Sequence, residues 1–403
     1  MTRLLHTGDT HLGYQQYHLP ERRDDFLAAF QQVADDAVEL GVDAVVHAGD
    51  LFHDRQPTLA DIMGALSVLR TLEEAGIPML AIVGNHESKR GGQWLDLFEE
   101  MGFAQRLGSK PVVIDEVALY GLDFVPRSQR DDYAYEFEEA GVETTFLVSH
   151  GLFAPFEHGD WDARQILEQS PVEFDALLLG DDHTPKKKRL ERPHNVWLTY
   201  CGSTERASAS EREARGYNLI SVEDGTVDIR RRGLETRSFE FIDVELGPDE
   251  GPERVRERIA EHSIDDAVVI VSITGDGDAV MAADIESYAD ERGALVTRVN
   301  DRRELPDEQE VSVSFADPDQ AVQERIQELG LSEAAHELDE TIRASKVADA
   351  NVADVVERRV GELVGEDELT VFEAASGTES SEASDEGSEE TGSDGQSSME
   401  EYV

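Results

Sequence analysis

Short, continuous apolar runs recur through the first half of the chain, and longer segments with helical spacing separate them. Runs without polar alternation are typical of strands that are buried on both faces of a sheet. The intervening segments carry apolar residues three or four positions apart, which predicts amphipathic helices. The strand-like runs are 4–5, 44–46, 80–83, 146–148 and 177–179, and the helical sets are Phe26, Phe30, Val33, Ala37 and Leu40, then Leu59, Ile62, Met63, Leu66 and Leu69. Residues 1–235 are therefore predicted to form one large α/β domain.

The same alternation restarts on a smaller scale after residue 235. It predicts strands at 239–242, 267–273 and 294–299, with helices at 252–262 and 279–292 between them. We expect a second, compact α/β domain over residues 236–316.

The C-terminal part of the chain has a different composition. Residues 317–372 favour helices without strands, and one helical face carries an apolar stripe formed by Val352, Val355, Val356, Val360 and Leu363. Such a stripe packs either on its own domain or on a partner protein, and the pattern leaves both open. Residues 373–403 are rich in Ser, Gly, Glu and Asp and lack basic residues, so this tail is predicted to be disordered.

The chain is strongly acidic, because 88 acidic residues against 36 basic ones give a net charge of −52. Apolar residues still make up 39% of the sequence, so most of it is expected to fold. An acidic, lysine-poor surface suits a protein that must stay hydrated in molar salt, where charge repulsion is screened within ~3 Å. The composition favours the cytoplasm of a halophile, and an acidic mesophilic protein is the alternative.

The single cysteine, Cys201, excludes an intrachain disulfide and is typical of a reducing compartment. A lone thiol of this kind is expected to be a small buried residue rather than a nucleophile. The N-terminus enters a strand directly without a signal-peptide core, and no apolar run reaches the ~20 residues that a membrane span needs. These features predict a soluble, cytoplasmic protein with no membrane partner.

Residue types that bind metal ions stand at the ends of the strand-like runs. They are Asp9, His11, Asp50, Asn85, His150, Asp181 and His183. Because ligands bind at the carboxyl ends of neighbouring strands in open α/β sheets, we expect these side chains to gather there. A binuclear site for phosphodiester hydrolysis needs a bridging carboxylate, for which Asp50 is the natural candidate, and neutral His or Asn ligands. The absence of thiolate favours Mn²⁺ or Mg²⁺ over structural zinc.

Two further histidines follow these ligands closely. His86 comes directly after Asn85, so it should project beside the metal ions, where it could hydrogen-bond a phosphate oxygen or protonate the leaving oxygen. His53 could act in a related way or hold Asp50, and a purely structural role is an equal alternative. Both are candidate catalytic residues.

Four segments carry a family resemblance: Gly8-Asp9-Thr10-His11-Leu12-Gly13, Gly49-Asp50-Leu51-Phe52-His53, Gly84-Asn85-His86-Glu87 and Tyr200-Cys201-Gly202-Ser203-Thr204-Glu205-Arg206. They resemble the calcineurin-like metallophosphoesterases and, more closely, the Mre-eleven/SbcD family of archaeal double-strand-break repair nucleases. The resemblance implies a sandwich of sheets flanked by helices. It also implies a small α/β capping domain, which residues 236–316 match in size and place, followed by C-terminal helices.

The same resemblance implies an activity and partners. The activity is a Mn²⁺-dependent 3′-to-5′ exonuclease on double strands and an endonuclease on single strands, with two Mn²⁺ ions per subunit. The partners are DNA ends, which would associate the protein with the nucleoid, a second copy of the chain, and a Rad-fifty/SbcC-type ATPase. That SMC-like ATPase would bind the apolar stripe at 352–363, and two copies of each protein would form a heterotetramer. Carried over by motif, one ion would take Asp9, His11, Asp50 and His183, and the other Asp50, Asn85, His150 and Asp181.

One motif departs from the family pattern. The last ligand motif of the family usually reads Gly-His-x-His, whereas this chain has Gly180-Asp181-Asp182-His183. Asp181 is a competent ligand, but its added negative charge is expected to reduce the Lewis acidity of the ions. Asp182 is the alternative ligand if the register shifts.

Basic residues concentrate next to the metal motifs in this acidic chain. Lys89 and Arg90 follow the Asn85-His86 motif, and Lys186, Lys187, Lys188 and Arg189 follow His183. Their placement favours contact with the phosphates of DNA over a role as ordinary solvated surface.

Two other functions remain open at the level of sequence. A phosphatase or cyclic-nucleotide phosphodiesterase of the same superfamily would need neither the cap nor the partner helices. A scaffold that binds DNA ends, with hydrolysis made vestigial by Asp181, is the alternative outside enzymes.

Overall fold

The helices and strands were defined in a computed structural model, which describes residues 1–130, 133–191 and 195–303. The helices are α1 Pro20–Leu40, α2 Leu59–Glu74, α3 Trp94–Glu100, α4 Arg127–Arg130, α5 Ala163–Gln169, α6 Pro252–Ala260 and α7 Ala282–Asp290, with a 3₁₀ turn at Gln16–His18. The strands are β1 Thr2–Thr7, β2 Ala44–His47, β3 Met79–Ala81, β4 Gln105–Arg106, β5 Val112–Ile114, β6 Val117–Leu122, β7 Thr144–His150, β8 Phe153–Ala154, β9 Trp161–Asp162, β10 Ala176–Gly180, β11 Lys186–Leu190, β12 Val196–Tyr200, β13 Gly216–Glu223, β14 Thr226–Gly233, β15 Phe239–Leu246, β16 Val268–Gly275 and β17 Val296–Asp301.

Two six-stranded sheets pack face to face through a shared apolar layer. The first sheet has the strand order β14-β13-β1-β2-β3-β4, and the second has the order β11-β12-β10-β7-β6-β5. Successive side chains on a strand point to opposite faces. Leu4 therefore packs between the sheets with Val148, while Leu5 packs on the outer face of the first sheet. Burial of both faces explains why the apolar runs in the sequence are continuous.

Helices cover the outer faces of both sheets. Phe30 of α1 and Val68 of α2 share a core cluster with Val45 of the first sheet. Ile166 of α5 shares another cluster with Leu177 of the second sheet. The result is a four-layer sandwich, in agreement with the predicted fold class.

A third sheet follows, with the order β15-β16-β17 and all three strands parallel. The helices α6 and α7 connect its strands, and Ile242, Val271 and Ile285 lie in its own core cluster. A smaller apolar cluster joins Phe239 of this sheet to Tyr17 in the loop before α1. The boundaries at residues 235 and 316 remain predictions.

The predicted elements are present in the predicted order, with ends that differ by a few residues. The strand predicted at 80–83 is shorter, Met79–Ala81, and the helix predicted at 279–292 runs only over Ala282–Asp290. Within the described part of the chain, no helix is both long and apolar enough to cross a membrane. The predictions for residues 317–403 lie outside the described residues.

Candidate metal centre

The predicted ligands meet where the carboxyl ends of strands from the two facing sheets lie next to each other. The first sheet contributes the residues after β1, β2 and β3, and the second sheet contributes the end of β7 and the residues after β10: Asp9, His11, Asp50, Asn85, His150, Asp181 and His183. The sequence pattern placed the ligands at the carboxyl ends of strands without dividing those strands between sheets. The ligands reach the site from two sheets, because the sheets pack with their ligand-bearing ends together.

The backbone at four candidate ligands adopts the left-handed region. Asp9, His11, Asp50 and Asp181 have φ angles of 49°, 43°, 55° and 92°. Non-glycine residues rarely adopt such angles, and they persist at functional sites where the surroundings hold them. Gly84 allows the close approach of one of these residues, since a Cβ atom there would lie 2.1 Å from Oδ1 of Asp50. The local backbone is thus shaped around the ligand positions.

One group of ligands centres on His11 and His183. Their Nε2 atoms lie 3.1 Å apart, and Nε2 of His11 lies 3.9 Å from Oδ2 of Asp50. Asp9 completes this group, with one ligand atom of each of the residues Asp9, His11 and His183 within 4.8 Å of the others. Nδ1 of His183 donates to Oε1 of Glu211 at 2.8 Å, which leaves Nε2 to face the other ligands.

A second group centres on His150. Its Nδ1 donates to the carbonyl of Ala48 at 2.7 Å, so its Nε2 faces the remaining ligands. Nε2 lies 2.8 Å from Oδ1 of Asn85, 3.4 Å from Oδ2 of Asp50 and 3.7 Å from Oδ1 of Asp181. Oδ2 of Asp50 is therefore close to both groups, which is the position a bridging carboxylate needs.

The fit of this cavity to divalent ions follows from the kinds of atoms that converge. Nε2 of His183 faces the imidazole of His11, and Nε2 of His150 faces the amide oxygen of Asn85. In both rings Nδ1 already donates to another protein oxygen. Buried acceptors that face one another repel unless a cation lies among them. Carboxylate, amide and imidazole donors without thiolate suit Mn²⁺ and Mg²⁺ better than they suit a structural zinc site.

The carboxylates shift the pKa values of the histidines. Burial alone would lower the pKa of His183, but the hydrogen bond that its ring donates to Glu211 and the charge of Asp9 raise it to about 9. Burial would also lower the pKa of His150, but Asp50 and then Asp181 raise it well above its usual value. Burial raises the pKa of Asp9 to about 6. Without ions, the site therefore holds protons that a metal would displace.

Asp181 and Asp182 lie in different surroundings. The backbone N–H of Asp181 donates to both oxygens of Asp9, and its carboxylate faces His150. The carboxylate of Asp182 instead accepts from the backbone N–H of Thr184 and pairs with Lys186. These contacts favour Asp181 over Asp182 as the ligand.

His53 and His86 form a second layer next to His11. Nδ1 of His53 lies 3.4 Å from Nδ1 of His11, and its ring stacks on Tyr14 at 4.0 Å between centroids. Nδ1 of His86 donates to the carbonyl of His53 at 2.8 Å, and its backbone N–H donates to Oδ1 of Asp50. The close contact of the His53 ring is thus with His11 rather than with Asp50. His86 lies next to His11 and His53, and one ligand atom of each of these three histidines lies within 4.8 Å of the others.

Two buried residues outside the predicted set support the ligands; Glu87 belongs to the motif that contains Asn85, but nothing in the sequence assigns it a role. Glu87 is buried and accepts the backbone N–H groups of Phe52 and Gly84, so it ties two ligand loops together. Arg215 is buried and donates to Glu211 and to the carbonyl of His183. Single acidic and basic residues of this kind do not stand out in a chain with 88 acidic residues.

The predicted DNA-binding residues lie on two surfaces beside the site. Lys186, Lys187, Lys188 and Arg189 form most of β11, an edge strand of the second sheet. Lys187 and Arg189 both lie over the ring of Trp197, at 5.3 and 5.2 Å. Lys89 lies 3.6 Å from the ring centroid of Trp94, and Arg90 is exposed in the same loop. The predicted partner-binding residues, Val352, Val355, Val356, Val360 and Leu363, lie outside the described residues.

The sequence matches a known protein family. The family model described as calcineurin-like phosphoesterase matches residues 2–185, which include all of the candidate ligands.

Two relatives from halophilic archaea match most of the chain, and both are named DNA double-strand break repair protein Mre11. The protein of Haloferax volcanii is 59% identical over 369 residues, which cover 91% of this chain and 83% of that one. The protein of Halobacterium salinarum is 54% identical over 373 residues, which cover 91% of this chain and 96% of that one.

Proposed function

The chain belongs to the Mre11 family of calcineurin-like phosphoesterases, and we propose that it is a manganese-dependent nuclease that acts on broken DNA ends. The family makes it a metal-dependent phosphodiesterase. Its direct substrate, the identity of the ions and its partners belong to the proposal.

The observation that carries the proposal is the position of Asp50 between two groups of converging ligands. His11 lies 3.9 Å and His150 3.4 Å from the same Oδ2 atom of Asp50. We assign Asp9, His11, Asp50 and His183 to one ion, and Asp50, Asn85, His150 and Asp181 to the other. When bound, two such ions supply Lewis acidity to a phosphodiester and a water of lowered pKa.

The side chains of the site have distinct tasks in this scheme. Asp50 is buried, and although burial alone would raise its pKa, the neighbouring His150 holds that pKa below its usual range. Asp50 therefore stays ionised, and its carboxylate can bind an ion in each of the two ligand groups. Nδ1–H of His150 and Nδ1–H of His183 donate to protein oxygens, so both rings present Nε2 toward the ions in a fixed orientation.

We assign His86 to the phosphate and the leaving oxygen. Because its Nδ1–H donates to the carbonyl of His53, its Nε2 is the atom free to act. In the protonated ring Nε2 donates to a phosphate oxygen or transfers its proton to the departing oxygen. His53 is assigned a supporting role: burial lowers its pKa to about 4, so it stays neutral near pH 7.

The basic residues next to the site would guide DNA to it. A net charge of −52 opposes the approach of a polyanion, so contacts must come from a local cluster. Lys187, Lys188 and Arg189 are exposed on β11, which leads away from His183. Lys89 and Arg90 would contact phosphates from the loop after Asn85.

We also propose the assembly that the family resemblance implies. Leu59 and Met63 on α2 are 74% and 59% exposed, and Leu97 and Met101 at α3 are 39% and 47% exposed. Each pair is four positions apart, so each forms an apolar face that a second copy could cover. A monomer at micromolar concentration in analytical ultracentrifugation would contradict the homodimer.

The ATPase partner and the capping role of residues 236–316 remain proposals on the same basis. Polar substitutions at Val352, Val356 and Val360 should abolish co-purification of an SMC-like ATPase without unfolding the chain. If the variants unfold instead, the stripe belongs to the core of this protein.

The test of the proposed function is a cleavage assay with purified protein in high KCl and Mn²⁺. Labelled linear duplex, labelled single strands and a generic phosphoester are incubated in parallel. We expect release of the label from the 3′ end of the duplex and internal cuts in single strands. Cleavage of the phosphoester alone would favour a phosphatase, and tight binding of DNA ends without cleavage would favour a scaffold.

A further inference from the structure

The loop between β12 and β13 carries a carboxylate that contacts a candidate ligand. Oε1 of Glu211 accepts the hydrogen bond from Nδ1 of His183 at 2.8 Å. The side chain of Glu211 is only 10% exposed. A histidine that binds an ion through one nitrogen needs an acceptor for the N–H of the other, and a carboxylate in that place fixes the tautomer and the ring orientation.

Glu211 is itself held from several directions. Its Oε2 accepts from Nη1 of Arg215 and from the backbone N–H of Ala207, both at 3.0 Å. Its backbone carbonyl accepts from Nε of Arg206 at 3.1 Å. Both carboxylate oxygens and the main chain of Glu211 are therefore engaged, which leaves the carboxylate little freedom to move away from His183.

Arg215 holds the backbone of His183 as well as its carboxylate partner. The guanidinium is fully buried, and the Nη1 that binds Glu211 also lies 3.1 Å from the carbonyl of His183 and 3.0 Å from Oγ of Ser203. The ring and the main chain of His183 are thus oriented by one connected set of hydrogen bonds. A connected network of this kind restricts motion more than isolated contacts do.

The loop is also fixed to the third sheet. The guanidinium of Arg206 lies 5.2 Å from the ring centroid of Phe239, and Arg212 makes two hydrogen bonds to Asp243, at 2.8 and 2.7 Å. Phe239 and Asp243 both lie on β15. The position of Glu211 is therefore determined by contacts on both sides of the loop.

We propose that Glu211 is a positioning residue that aims Nε2 of His183 at the ion shared with His11. The inference rests on the part of the proposed function in which His183 binds a divalent ion. It does not depend on the cleavage of DNA.

The test is a calorimetric titration of the full metal-free chain with Mn²⁺ in high KCl, without DNA. The variants are Glu211→Ala and Glu211→Gln, and Glu223→Gln is the matched control, because Glu223 is exposed at the end of β13, the strand that follows the loop. In Glu211→Ala, one of two binding events should weaken roughly 10- to 100-fold while the other stays unchanged. Glu211→Gln keeps an acceptor oxygen and should lose less affinity, and Glu223→Gln should match the parent chain.

Selective loss of one ion separates positioning from general destabilisation, which would weaken both events. Two binding events of unchanged affinity in Glu211→Ala would overturn the inference, as would an equal weakening of both. If Glu211→Ala does not fold, the Gln variant decides the question: unchanged affinity for both ions overturns the proposal. A parent chain that binds two ions but leaves DNA uncut would contradict the proposed function and leave this inference standing.

Discussion

The Nε2 atoms of His11 and His183 lie 3.1 Å apart in the metal centre, and neither ring can turn away freely. Nδ1 of His183 is held by Glu211, and Nδ1 of His11 lies against His53. Two imidazole nitrogens at this distance, one of them fully buried, need a proton or a metal ion between them. Burial lowers the pKa of His11 well below its usual value, so the ring of His11 stays neutral and its Nε2 is available to bind a metal ion.

The first prediction concerns the pH dependence of metal binding. The raised pKa of His183, about 9, means that the metal-free protein carries a proton there at neutral pH. An ion must displace that proton, and the raised pKa of His150 adds another, so Mn²⁺ affinity should rise by roughly tenfold per pH unit for each proton released; the part due to His183 should end above about pH 9. Below about pH 6, protonation of Asp9 should weaken binding further.

Calorimetry in buffers of different ionisation enthalpy would measure this release. It should show more protons leaving the protein at pH 7.5 than at pH 9.5. An affinity that does not change between pH 7 and pH 9 would contradict the assignment of His183 as a ligand.

The second prediction distinguishes Asp181 from Asp182. Asp181→Ala should lower the Mn²⁺ stoichiometry from two toward one and remove cleavage, since one ion cannot stabilise both the attacking and the leaving oxygen. Asp182→Ala is the matched control and should keep both ions, because Asp182 pairs with Lys186. Inductively coupled plasma mass spectrometry after dialysis gives the stoichiometry. Two bound ions with normal cleavage in Asp181→Ala would exclude it as a ligand.

The third prediction uses the ligand that the family usually has at this position. Asp181→His should retain two ions, because it restores the usual neutral ligand. If Asp181 reduces the Lewis acidity of the ions, single-turnover cleavage by this variant should be faster than that of the parent chain. Slower cleavage at high KCl would show instead that the carboxylate is an adaptation to salt.

The fourth prediction concerns His86. His86→Ala should reduce cleavage by roughly 10²- to 10⁴-fold, the usual contribution of a positioned acid, while Mn²⁺ content and DNA affinity stay nearly unchanged. The matched control is His158→Ala, since that side chain is 80% exposed and lies outside the site. Loss of bound Mn²⁺ in His86→Ala would contradict its assignment to the phosphate.

The strands and the candidate ligands at their ends could be read from the sequence because they follow local rules, whereas the sandwich followed only from the family resemblance. A strand that is buried on both faces appears in the sequence as a continuous apolar run. Asp9, Asp50 and His150 lie at or just after the ends of such runs. The division of the ligands between two sheets depends on how the sheets pack, which no local pattern contains. The carboxylate partner of His183 is Glu211, 28 positions away in the sequence. A single Glu cannot be recognised as such a partner in a chain with 88 acidic residues.

The central claim is that Asp50 bridges two ions, and anomalous scattering from crystals grown with Mn²⁺ tests it most directly. The account predicts two anomalous peaks roughly 3.5–4 Å apart on either side of the Asp50 carboxylate. One peak should lie next to Nε2 of His183 and the other next to Nε2 of His150. A single peak, or two peaks that do not share Asp50, would contradict the claim.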